Sequence, residues 1–366
     1  MITKINIDNF KSIKHIEIDT ERLNLFMGLN GMGKSTVIQS LLLLRQSYKG
    51  SKFKELVLNG ELAEIGRGRD AMYNFAEKEE IRFDMHFWKN KKSNSLELIY
   101  SYDYLSDVLK LTKKSSEGYV SNEALFNDKF IFLSADRMAP ATAYDLSYDK
   151  VANQHALGNR GELAAHFLSM YGKKITVRKE MCLEGSDNLE DQVNAWLKII
   201  SPRIRVETAE LPAIDKVSLS YVFGTESIFT SNLRPTNVGF GISYVLPILI
   251  ACLSGMYQLI VIENPEAHLH PKGQAKMGEL LARCSQAGAQ IFVETHSDHI
   301  VNGLRVAVKE NILPGDRSYI NYFTKHVSKG ESYTENTPIK IGFNGELSEY
   351  PEDFIDEWEN QLLKLI

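Results

Sequence analysis

Two kinds of periodicity alternate along this chain. Short apolar runs at 23–27, 259–262 and 291–293 end in glycine or an acidic residue and predict buried strands. Residues 81–87 instead alternate, with Ile81, Phe83, Met85 and Phe87 set against Arg82, Asp84 and His86, as in a strand with one wet face. Ile5 and Ile7 open the chain with the same alternation. Helical patterns occupy residues 36–44 and 191–200. A third runs between Pro271, suited to a first turn, and Gly288, suited to an end, with Met277, Leu280, Leu281 and Cys284 at helical spacing. The longest apolar run, 244–253, is too short for a bilayer and contains Pro247. Residues 80–230 carry no sustained heptad repeat, so this stretch predicts a compact α/β insertion and not a coiled coil.

The strand at 23–27 and the helix at 36–44 flank a complete G-x-x-x-x-G-K-S motif at residues 28–35. Gly28, Gly31 and Gly33 allow turns in which successive N–H groups point at an anion, and the helix start adds its partial positive charge. Asn30, Gly31, Gly33, Lys34, Ser35 and Thr36 are the expected nucleotide-binding residues. Lys34 would reach the β- and γ-phosphates of ATP, and the Ser35 hydroxyl would hold magnesium.

Further along, the order strand, helix, strand recurs between 259 and 297 and predicts a βαβ unit. It places Glu263 and His296 at one C-terminal sheet edge, where such folds take their ligands. Glu263 is the candidate magnesium-associated carboxylate, paired in that role with Ser35. The His268/His270 and His296/His299 pairs fall at strand-end turns beside the phosphate site, which favours a nucleotide role over a zinc site.

Composition adds bounds. The chain has 366 residues, 43% of them hydrophobic and 10% aromatic, enough for one large domain with an insertion or for two domains. Cys182, Cys252 and Cys284 are widely spaced, and no secretion signal or membrane span is evident, so a reduced cytoplasmic setting is expected. A net charge of −5 is not the footprint of a dedicated nucleic-acid binder. Local basic clusters at Lys89, Lys91 and Lys92 and at Lys173, Lys174, Arg178 and Lys179 read first as solvated loops and second as DNA or RNA contacts.

These motifs resemble those of the ABC-class ATPases, in particular the group of SMC and RecF heads and overcoming-lysogenization-defect (OLD) ATPases. Residues 5–13 look like that group's first strand, 266–271 like its Walker B extension and 295–297 like its switch-histidine segment. The resemblance implies an α/β P-loop NTPase of ABC/SMC-head type, a mixed sheet with flanking helices. It also implies that His296 senses the γ-phosphate. Asn237, Gly239, Gly241 and Ser243 sit where the group carries its signature motif, which binds ATP held by a second subunit. The implied assembly is a dimer, or a higher oligomer, with two ATPs at the interface.

One departure stands out. The group's usual catalytic glutamate, directly after the magnesium-site acid, is replaced by Asn264. Either Glu266 acts as the general base, or hydrolysis is slow and ATP mainly holds a conformation.

Tyr322, Phe323 and residues 342–347 and 350–357 resemble the small C-terminal domain of unknown function in one OLD-like branch. The expected organisation is a first half of the head at 1–80, an insertion at 81–230, a second half at 231–312 and a small domain at 313–366. Only about seventy residues follow His296, too few for the Toprim nuclease of full OLD proteins, so no DNA cleavage is expected of this chain. Two functions follow from the resemblance. One is an ATP-gated sensor in anti-phage defence with a separate effector, such as a nuclease. The other is a RecF-like ATPase that clamps DNA. A P-loop kinase has no use for the histidine and the paired glutamates.

Overall fold

In a computed structural model the first elements are β1 (Ile2–Phe10), β2 (Ile13–Asp19), β3 (Leu23–Met27), α1 (Lys34–Ser51), β4 (Glu55–Val57), α2 (Gly68–Ala71), β5 (Glu80–Lys89), β6 (Lys92–Ser101) and β7 (Val108–Glu117). There follow β8 (Phe130–Leu133), β9 (Ala143–Asp145), α3 (Ala164–Tyr171), α4 (Leu189–Ile200), β10 (Ile204–Leu211), β11 (Lys216–Thr225) and β12 (Ile228–Phe229). The last are α5 (Phe240–Leu253), β13 (Leu259–Glu263), α6 (Pro271–Gln286), β14 (Gln290–Glu294), α7 (Asp298–Lys309), β15 (Ser318–Ser328) and β16 (Glu331–Lys340). The structure describes all residues except 90–91, 118–119, 184, 202–203, 226–227, 230–231, 329, 353, 355–361 and 366. Lys91 of the first basic cluster and half of the 350–357 segment lie outside the described residues.

The chain divides into two units, the first made of 1–127, 315–342 and 346–366 and the second of 128–314 and 343–345. In the first unit, antiparallel strands form a sheet in the order β2-β1-β5-β6-β7-β4. Its alternation is the one expected: Ile5, Ile7, Phe83, Met85 and Leu98 are buried on one face. On the other face Arg82 bridges Asp8 and Glu97, at 3.4 and 3.0 Å. In the same unit β3, buried along its whole length, pairs in parallel with β15, and β15 pairs antiparallel with β16.

Helix α1 runs seven residues beyond the expected 36–44 at its C-terminal end. The apolar rhythm stops at Leu44, but the buried face continues through Arg45, whose guanidinium donates to the carbonyls of Leu125 and Asn127 at 2.6 and 2.9 Å. Residues 81–230, expected as one insertion, divide between the units. The edge of β1 takes β5 as its antiparallel neighbour, Ile7 opposite Phe83, which draws β5–β7 into the first sheet.

In the second unit β8, β13 and β14 are parallel, with β13 in the middle. Their apolar character follows from burial: of the fourteen residues only Glu263 escapes it in part. Helix α4 packs against α5 and α6, with Trp196 fully buried and its indole N–H donating to the Met181 carbonyl at 3.0 Å. Helix α6 begins at Pro271 as expected, and Gly288, at φ 112°, turns the chain toward β14. Thus β13 and β14 run side by side and release their C-terminal turns together.

Candidate functional site

In the first unit β3 delivers the chain into the glycine loop, and Gly28, Gly31 and Gly33 all take positive φ. Gly33 shows why no side chain fits: a Cβ there would lie 2.3 Å from the Thr334 hydroxyl oxygen of β16. Thr334 donates to Ser12 Oγ at 2.8 Å, and Ser12 lies 3.5 Å from Thr36 Oγ1, so the start of α1 is held from below. Lys34 is 3% exposed, and its Nζ donates to the carbonyls of Gly28 and Leu29, both at 2.8 Å. The ammonium is folded back over its own loop. An incoming phosphate oxygen can take over those bonds with no loss of hydrogen bonding. Asn30 and Gly31 are exposed, Ser35 is half-buried and Thr36 is buried.

In the second unit Glu263 closes β13, and its Oε2 accepts the Ala135 N–H at 2.9 Å. Burial raises the Glu263 carboxyl above its ordinary range, while the Ala135 N–H and the charge of Arg137 pull it back. A half-buried carboxylate of this kind suits a divalent cation. The next residue, Asn264, has φ 44°, a left-handed conformation that asparagine tolerates better than other side-chain-bearing residues. Its N–H continues the parallel ladder to the Glu294 carbonyl at 2.8 Å, and its side-chain Oδ1 is buried without a hydrogen-bond partner among the described residues.

Glu266 reaches across to the turn after β14. Its Oε2 accepts the Thr295 hydroxyl and its Oε1 the His296 N–H, each at 2.8 Å. Each carboxylate oxygen keeps a further lone-pair direction for another donor. The His296 side chain is exposed, while Ser297 caps α7 by accepting the Ile300 N–H and donates to Gln274 Oε1 of α6 at 2.6 Å. Glu263 and His296 therefore lie at the C-terminal ends of the paired strands β13 and β14, and Glu266 binds the His296 N–H.

The 237–243 segment divides by exposure. Asn237 and Gly239 are exposed, and so is Phe240, whereas Gly241 and Ser243 are buried. A Cβ on Gly241 would lie 2.4 Å from the His268 carbonyl oxygen, so its missing side chain lets α5 approach the Glu266–His270 turn. Ser243 Oγ sits 3.4 Å from the Tyr221 hydroxyl. Nothing lies within 4 Å of a Cβ placed on Gly239. The His268 ring lies tilted against Phe240 at 5.6 Å and edge-to-face with Tyr244 at 5.0 Å, centroid to centroid.

Sequence reasoning missed Arg137. It is 1% exposed, and burial pulls its guanidinium down to about 10, with Glu266, Glu263 and Tyr244 pushing the other way. The available signal was positional: 134–137 follows the apolar strand β8 as 264–267 follows β13. Thr295 was also passed over, although it lies inside the Thr-His-Ser segment. Among the described residues no cluster of three or more His, Cys, Asp and Glu could hold a metal ion by itself, and no helix is long and apolar enough to cross a membrane.

A family model described as "AAA domain, putative AbiEii toxin, Type IV TA system" matches residues 61–302, and one described as a protein of unknown function, DUF3696, matches 313–365. The chain is similar to the DNA replication and repair protein RecF of Thermoanaerobacter sp. (strain X514), 26% identical over 233 residues, covering 60% of this chain and 62% of that protein. RecF of Caldanaerobacter subterraneus is 36% identical over 93 residues, a quarter of each chain. Among solved structures, an Smc head bound to the C-winged helix domain of ScpA aligns with a TM-score of 0.57 at 12% identity, covering 92% of this chain and 97% of that one. An Smc head from Pyrococcus furiosus aligns with a TM-score of 0.52 at 11% identity, covering 100% and 99%. The shared fold is that of an SMC-head P-loop ATPase domain.

The two glycines of the 237–243 segment should respond differently. Gly241→Ala forces a Cβ against a carbonyl and is expected to cost about 1–3 kcal/mol, the range for overpacking. Gly239→Ala meets open space and is expected to stay within about 0.5 kcal/mol of the parent, as surface changes do. Urea unfolding of the two variants checks this, and equal losses would contradict the packing assignment.

Proposed function

The chain belongs to the family of AAA domains described as putative AbiEii toxins of type IV toxin–antitoxin systems, and from that premise we propose an ATP-binding and ATP-hydrolysing switch. The observation that carries the proposal is the glycine loop ahead of α1, with the buried Lys34 ammonium held over it by hydrogen bonds to the Gly28 and Leu29 carbonyls. In this reading the N–H groups of 30–36 and Lys34 hold the phosphates of ATP, and Ser35 and Glu263 hold magnesium. The cation would offset charge on the β- and γ-phosphates. His296 reads the presence of the γ-phosphate. Glu266 is the general base, since its free lone-pair directions can receive the proton of an attacking water.

Two copies of the chain meet around two ATPs, with Asn237 and Gly239 as the exposed part of the trans-acting segment. We assign the protein to the cytoplasm, as the regulatory subunit of an anti-phage defence complex whose effector is a separate protein. The family's description supports that setting, and the net charge of −5 supports a protein partner over a nucleic-acid one. The second reading, a DNA clamp in repair, is favoured by the similarity to RecF, although the match spans only 62% of that relative's length.

Lys34→Ala is expected to lose measurable ATP affinity in calorimetry with magnesium present while keeping the parental unfolding curve, because no other loop side chain carries positive charge. Wild-type-like affinity would remove the phosphate-binding claim. Glu266→Gln keeps the shape of the side chain and the bridge to Thr295, whose hydroxyl can accept instead of donate. It is expected to bind ATP normally and to slow single-turnover hydrolysis roughly a hundredfold to ten-thousandfold. A rate within a few-fold of the parent would mean that Glu266 only orders the turn. The two settings separate on DNA: the defence reading expects ATP to leave affinity for duplex DNA unchanged at physiological salt. A large ATP-dependent gain that falls steeply with salt would favour the clamp.

A further inference from the structure

Arg137 is a costly residue to bury, and its hydrogen bonds go to main-chain carbonyls. Nη2 donates to the carbonyl of Glu263 at 2.5 Å and Nη1 to that of Asn264 at 3.1 Å. Two successive carbonyls thus face one guanidinium. Between them lies the left-handed residue of the turn, a conformation that costs roughly 1–2 kcal/mol for most residues other than glycine. The same short segment holds Glu263 from a third direction, through the Ala135 N–H on the carboxylate. The brace is set by strand register, since Leu133 pairs with Ile262 and both chains turn immediately afterwards. Nε of Arg137 is buried without a hydrogen-bond partner among the described residues, so the planar group is placed for the two carbonyls at the expense of its third edge.

We infer that Arg137 is a positioning residue for ATP hydrolysis, a two-pronged clamp that fixes the Glu263–Asn264 turn and so aims Glu263 and Glu266. The inference rests on the ATPase reading for its functional consequence, but the clamp itself is a property of the protein without nucleotide. A fork is required for it. A lysine presents one charged point and cannot hold two carbonyls in fixed directions. Tight aim matters because small misplacements of reacting groups cost on the order of a hundredfold in rate.

The test uses the full chain with Arg137→Lys and Arg137→Ala, the lysine variant filling most of the space so that a failure of the alanine variant to fold does not decide the matter. Hydrogen exchange without nucleotide is expected to speed up at the amides of 264–269 in both variants, with those of β13 and β14 unchanged. In steady-state assays kcat is expected to fall roughly tenfold to a hundredfold while KM for ATP stays within a few-fold. Guanidinium ions should restore part of the rate of Arg137→Ala, and ammonium ions at equal ionic strength should not. Unchanged exchange at 264–269, an unchanged kcat in the folded variants, or a loss that falls equally on ATP affinity would each overturn the inference. A parent protein that hydrolyses no ATP would instead overturn the enzymatic reading, and the exchange measurement would still decide whether Arg137 holds the turn.

Discussion

One carboxylate joins the two strand ends on which the candidate chemistry depends. Glu266 leaves the turn after β13 and accepts both the hydroxyl of Thr295 and the N–H of His296 in the turn after β14. The same two turns also share the last rung of their ladder, Asn264 N–H to the Glu294 carbonyl at 2.8 Å. Through the carboxylate bridge, any displacement of the His296 backbone is felt at Glu266. The proposed γ-phosphate sensor and the proposed general base are thereby coupled through two charge-assisted hydrogen bonds, the stronger kind in proteins. The links to α6 and α7, through Ser297 and Gln274, extend the same coupling to the helices that follow each strand.

Asn264 takes on a different meaning in this setting. As a letter in the sequence it is a missing general base. In the structure its φ of 44° and the two carbonyls gathered by Arg137 make it the hinge of a constrained turn. A glutamate there would have to adopt a conformation that longer side chains avoid. The carboxylate proposed as the base instead lies two residues along, outside the left-handed turn residue, with its side chain bonded to the turn after β14.

Much of this was legible in the chain itself. The phosphate loop, the acid ending β13 and the histidine after β14 were readable because each depends on local spacing: an all-apolar strand, a turn, and a helix that starts at a fixed offset. Pro271 and Gly288 marked α6 because their backbone preferences are intrinsic. What could not be read depends on strands distant in sequence. Arg137 could be placed after an apolar strand, but its bonds to the Glu263 and Asn264 carbonyls arise only because β8 lies beside β13, and nothing in Ser134 to Arg137 states that pairing. Gly241 looked like a phosphate contact, and its absent side chain proves to accommodate the His268 carbonyl. The division of residues 81–230 between two units was hidden for the same reason, since the edge of β1 could have taken another partner.

The central claim, that this fold turns ATP over in a site completed by a second copy, is tested most directly by single-turnover hydrolysis measured across protein concentration. The account predicts that the rate per molecule rises with concentration and then levels off as the dimer saturates. A rate per molecule that is constant from the lowest to the highest concentration, or hydrolysis absent throughout, would contradict it.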